Sequence, residues 1–228
     1  MARQPYSPNY SRHRYSIGAL EIRHNPKFCE LLGKCIGLWS FVDHEMGGLF
    51  GTLIGSESAA AMEVFITLRR STNQREAIEA AGKHALSVEG EKDALAAILV
   101  IYKGLEAERN HLAHGVWGFA PDNPELMYWM DSRDHLHSNA TILNNFKRGI
   151  FEEDTHRPIK ERLFVYRLTD LEALHAEFED FWWSLFHFNG YLREPENPGR
   201  IQEFERLCAK PRIEREISRL KKDPQNIR

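Results

Sequence analysis

The chain has 228 residues, 42% of them hydrophobic and 28% charged, with a formal net charge of −3. That balance supplies a sizeable core and suits one large domain with appendages. It excludes the global positive field that draws a protein onto any nucleic acid, so a nucleic-acid contact has to be local. The longest apolar stretches are broken by Asp43, His44, Glu45 and Lys103, short of the roughly 20 residues a membrane span needs. Cys29, Cys35 and Cys208 form no CxxC pair, as in a reducing compartment. A soluble, cytoplasmic protein with no membrane partner is expected.

Residues 1–24 carry Arg3, Arg12, Arg14 and Arg23 among tyrosines and prolines, without the apolar stretch of a secretory signal, and read as a flexible basic arm. Asn25-Pro26 has the form of an N-cap followed by proline at the first helical position. It opens a long helix to about Ile54, in which Leu31, Cys35, Leu38, Trp39, Val42 and Met46 recur at three and four. Gly33, Gly37, Gly47, Gly48 and Gly51 on that helix suit close packing of a helix pair. Ser56 or Ser58 caps a second helix ending near Arg69-Arg70. Ser71 with Gln74 resembles a capping box for a third, which runs to about Leu86. A fourth begins near Glu91 and buries Leu95, Ile98, Tyr102, Leu105 and Leu112. It ends at His114, with Gly115 where a helix commonly stops in the left-handed region.

Helical periodicity gives way at residues 116–166 to short aromatic runs, Val116–Phe119, Leu126–Met130 and Leu163–Tyr166, separated by Pro121, Asp122, Asn123 and Pro124. These predict a hairpin joined by a third strand. Thr169-Asp170-Leu171-Glu172 has capping-box spacing and predicts a closing helix through Phe178, Phe181, Trp182, Leu185 and Phe188 to about Leu192. Residues 193–228 form a charged appendage punctuated by prolines, with one helical piece at residues 212–222.

The chemically informative segment is Arg109-Asn110-His111-Leu112-Ala113-His114, at the end of the fourth helix. An arginine, a polar residue directly after it and a histidine five positions on resemble the R-x4-6-H signature of the HEPN superfamily. The order of elements over residues 25–192 resembles that family too. The resemblance implies a mainly α fold, an HEPN-like helical bundle with a small β insertion. It implies a metal-independent endoribonuclease without cofactors, acting as a homodimer whose two motif helices line one cleft. It also implies RNA as substrate, with Arg109, Asn110 and His114 as site residues. Many members are toxins, with an antitoxin as partner, or phage-defence effectors. A non-catalytic HEPN-like module that senses a nucleotide or binds a protein is the alternative.

The chemistry of the residues agrees. Metal-free RNA cleavage needs a group that takes a proton from the 2′-hydroxyl or gives one to the leaving oxygen. It also needs a cation on the phosphate as charge builds there. Histidine titrates near neutrality, and arginine offers a charged planar fork. Five positions are about 140° of helix rotation, so Arg109 of one chain approaching His114 of a second copy is one way to unite them. The same two residues also suit a simple helix end, a capping histidine and a dipole-complementing arginine. His111 reads as a packing or surface residue. Asp131, Asp134, His135 and His137 read as a solvated loop rather than a metal site. Arg69, Arg70 and Arg75 form a local basic group at a helix boundary, and Trp182, Trp183, Phe186 and Phe188 read as core or dimer interface.

Overall fold

The computed structural model describes residues 4–5, 14–56, 58–150 and 162–222. Arg3 and Arg12 of the expected arm, Pro224 of the tail and residues 151–161 of the expected insertion lie outside them. The chain is mainly α. After strands β1 (Gln4–Pro5) and β2 (Ser16–Ile17) come α1 (Pro26–Leu53), α2 (Ala59–Thr67), α3 (Ser71–Ala85) and α4 (Glu89–His114). Strands β3 (Gly115–Phe119) and β4 (Leu126–Asp131), helix α5 (Ser132–Lys147) and strand β5 (Phe164–Arg167) follow. Helices α6 (Leu168–Arg193), α7 (Arg200–Cys208) and α8 (Pro211–Lys222) complete the order.

The chain divides into two compact units whose boundaries fall inside α1, α4 and α6. The first unit, Met1–Gly37 with Ala107–Glu177, holds the sheet. Its strands run in the order β1-β5-β4-β3-β2, each pair antiparallel. The expected hairpin is β3–β4, with Trp117 opposite Trp129, and β5 joins it through Tyr128 opposite Val165. Residues 16–17, from the segment expected as an arm, add an edge strand beside β3, and Tyr15 stacks on Tyr128 at 5.1 Å. Alternation puts Leu126, Tyr128 and Met130 of β4 in one buried cluster with Val165. Trp117 meets Phe28 of α1 edge-on at 5.0 Å.

Asn25 caps α1 as its sequence position predicts, its Oδ1 accepting the Phe28 N–H at 3.1 Å. Two other caps differ from expectation. Gln74 donates to the Phe65 carbonyl of α2 at 3.4 Å, so it closes the preceding helix and no capping box opens α3. At α6, Asp170 accepts the Arg167 N–H at 2.8 Å, so the helix is capped two residues earlier than a box from Thr169 to Glu172 would cap it. Of the α1 glycines, Gly47 faces Phe65 of α2, which a Cβ there would meet at 3.5 Å, whereas Gly33 and Gly37 face open space and serve no helix contact.

Cys35 is fully buried beside the Leu171 carbonyl, 4.0 Å away, and burial pushes its thiol up to about 12. A thiol held neutral reacts slowly. Maleimide labelling read by peptide mass should therefore mark half-buried Cys29 and Cys208 while Cys35 labels only on unfolding. Because the folded value is raised, this contribution to stability is full below the thiol's ordinary value of 9.0 and disappears as pH rises through about 12. Urea midpoints should fall across that window, and fall less in Cys35→Ala.

The second unit, Leu38–Glu106 with Phe178–Arg228, is helical. Trp39 anchors it, 5.4 Å from the Tyr102 ring and edge-on to Phe178 at 5.2 Å. Two of its buried polar residues, Glu91 and Asn189, are bonded across helices. Tyr191 donates to Glu91 at 2.8 Å, and Asn189 donates to the Glu45 carboxylate at 2.7 Å. The C-terminal segment docks within this unit, since Leu207, Ile213 and Leu220 are buried and Phe204 stacks on Tyr191 at 4.5 Å. Lys221 also reaches Asp93 at 2.8 Å.

Candidate functional site

Helix α4 passes into β3 without a loop, His114 closing the helix and Gly115 opening the strand. This corrects the expected left-handed stop at Gly115, because the positive-φ glycines among the described residues are Gly55 and Gly149. Gly115 is required for space. A Cβ there would fall on the indole of Trp129, which crosses from β4 and donates its Nε1–H to the His111 carbonyl at 2.8 Å. That carbonyl lies in the last turn of α4, where carbonyls lack helical partners, so an indole from β4 replaces the usual cap. The turn carrying the motif is thereby pinned to the sheet.

Arg109 is half-buried, and its Nη1 donates to the Asn110 Oδ1 at 2.9 Å. Asn110 thus orients the guanidinium, the role its position beside the arginine allows. His114 is exposed and makes no hydrogen bond or ion pair among the described residues. The structure therefore brings Arg109 and Asn110 together and leaves the histidine presented to solvent. His111 is a packing residue, edge-on to Trp129 at 5.5 Å, with its Nδ1 3.8 Å from Glu108. Glu108 carries no motif signal of its own, and its i, i+3 spacing to His111 is the one pattern that marks it.

The segment read as a loop with Asp131, Asp134, His135 and His137 is helix α5, a second correction. Asp131 is its N-cap, accepting the Arg133 N–H at 2.9 Å, and Asp134 binds Arg162 at 2.6 Å. With these carboxylates engaged as cap and ion pair, no group of three or more metal-ligating side chains occurs among the described residues. In the helical unit Phe188 is core, whereas Trp183 and Phe186 are exposed beside Trp182. Arg69 and Arg70 are exposed, while Arg75 lines a cavity between α3 and α4. No helix among the described residues is long and apolar enough to cross a membrane.

No family model, no curated protein and no solved structure matches this chain.

Proposed function

We propose that this chain is a metal-independent endoribonuclease of the HEPN kind, acting as a homodimer. The observation that carries the reading is an exposed His114, without a bond among the described residues, on the same pinned helix end as an Arg109 already oriented by Asn110. In this reading His114 exchanges a proton with the 2′-hydroxyl or the leaving oxygen. Arg109 holds the phosphate oxygens as their charge develops, and Asn110 keeps the guanidinium fork in place. A second copy supplies the Arg109 that faces each His114. Such activity fits a cytoplasmic toxin held by an antitoxin, or a phage-defence effector. The internal Arg109–Asn110 bond also suits a non-catalytic module that senses a nucleotide or binds a protein, the second reading.

The test is incubation of purified protein with mixed cellular RNA, with and without chelator, alongside sedimentation. A dimer that cuts RNA equally well in chelator, leaving 2′,3′-cyclic phosphate ends, is the expected result. A verified dimer that cuts nothing, or a monomer at micromolar concentration, would leave the module reading standing.

A further inference from the structure

Helices α3 and α4 enclose a cavity of about 650 Å³ in the helical unit, with Arg219 of α8 in its wall. Organic ligands typically occupy sites of roughly 300–1,000 Å³. The lining is divided in character. Leu95, Ala96, Leu99 and Val100 of α4 give it an apolar wall. Five cationic side chains, Arg75, Lys83, Lys92, Lys103 and Arg219, face two carboxylates, Glu76 and Glu79.

Three of these cations are engaged by carboxylates. Lys83 binds Glu79 at 2.8 Å, Arg219 binds Glu216 at 2.7 Å, and Lys92 lies 3.5 Å from Glu89. The other two have no carboxylate partner among the described residues. Arg75 reaches only the Thr72 hydroxyl at 3.4 Å, and its Nε is buried without an acceptor. Lys103 makes no ion pair among the described residues. A buried donor without an acceptor is costly, and an anionic oxygen is its most favourable partner.

The two cations also share a level. Helix α3 ends at Ala85 and α4 starts at Glu89, so the pair forms a helical hairpin. Gly82 packs directly against Leu95 near its closed end. Two turns back along α3 is Arg75, and two turns on along α4 is Lys103. The two cations without carboxylate partners therefore lie away from the hairpin connection, with the apolar α4 wall leading to them.

We propose that this cavity binds a small organic phosphate monoester. Its apolar body lies on Leu95, Leu99 and Val100, and its phosphate is held by Arg75 and Lys103. A dianionic head suits two cations that lack carboxylates better than a single carboxylate does, and the arginine fork matches phosphate oxygens. None of these residues belongs to the Arg109–His114 segment, so the site stands independently of RNA cleavage.

The test is calorimetric titration of the full chain with 1-naphthyl phosphate, and with 1-naphthol, 1-naphthoate and inorganic phosphate in parallel. Naphthyl phosphate should bind at one site per chain and raise the melting temperature with concentration. Each comparator should bind about tenfold more weakly or worse, and Arg75→Gln and Lys103→Gln should each weaken the probe by about tenfold. Leu99→Trp should fill the apolar wall and abolish binding. Lys103 is exposed, so its variant tests the site even if Leu99→Trp fails to fold. Absence of binding at millimolar probe would overturn the proposal. So would naphthol or naphthoate binding as tightly as the phosphate, or indifference to both cation variants.

Discussion

Replacing His114 with alanine is expected to reduce RNA cleavage by about 10²–10⁴-fold, the usual contribution of a positioned proton-transfer group. The melting temperature should hardly move, because the side chain is exposed and makes no bond among the described residues. Arg109→Ala should reduce cleavage by about 10²–10³-fold through loss of charge stabilisation. Its cost in stability should be larger, since Arg109 is half-buried and bonded to Asn110. Arg109→Lys separates the two roles. A lysine keeps the charge without the planar fork, so cleavage should remain strongly impaired even where stability recovers. The measurement is single-turnover cleavage of a defined RNA by each variant, with thermal melts on the same samples. Full activity in His114→Ala would remove the histidine from the mechanism. Loss of stability in that variant, with no activity in the wild type, would make His114 a structural helix end.

The parts of the fold that were legible in the sequence are those whose signals are local. Asn25-Pro26 carries its own start signal, and the stripe through Cys35, Trp39, Val42 and Met46 is long enough to show its period. The aromatic runs of β3, β4 and β5 declared themselves by length and composition. Helix α5 did not, because it is polar and exposes Leu136, Leu143 and Phe146, which blurs its apolar face. Helix α7 sits between Pro198 and Pro211, which read as breakers. It is held by tertiary contacts of Phe204 and Leu207 that no local pattern encodes. At the candidate site the Arg109 and His114 spacing and the neighbouring Asn110 were legible. The cap on the helix was not, since it depends on Trp129 reaching back across a strand pairing whose register the sequence does not state.

Gly115→Ala, the substitution with the closest clash among the described glycines, should cost about 2–5 kcal/mol from overpacking plus a lost buried hydrogen bond. The new methyl would occupy the space of the Trp129 indole. Trp129 cannot swing aside easily, because it is only 2% exposed and held between Phe164 at 5.7 Å and His111 at 5.5 Å. Moving it breaks the Nε1–H bond to the His111 carbonyl and unpins the turn that carries His114. For a chain of this size that loss corresponds to a fall of roughly 5–15 °C in melting temperature. Gly104→Ala, on the helix that leads into Gly115, provides the opposite sign. That glycine is exposed, has open space at its Cβ and lies in the helix interior, so alanine should add about 0.5–1 kcal/mol. If the clash is with the indole, Trp129→Phe should partly rescue Gly115→Ala, and the double variant should lose less than the sum of the two singles. Additive losses, or a Gly115→Ala melt matching the wild type, would show that the join between α4 and β3 has room for a side chain and that the glycine serves another purpose.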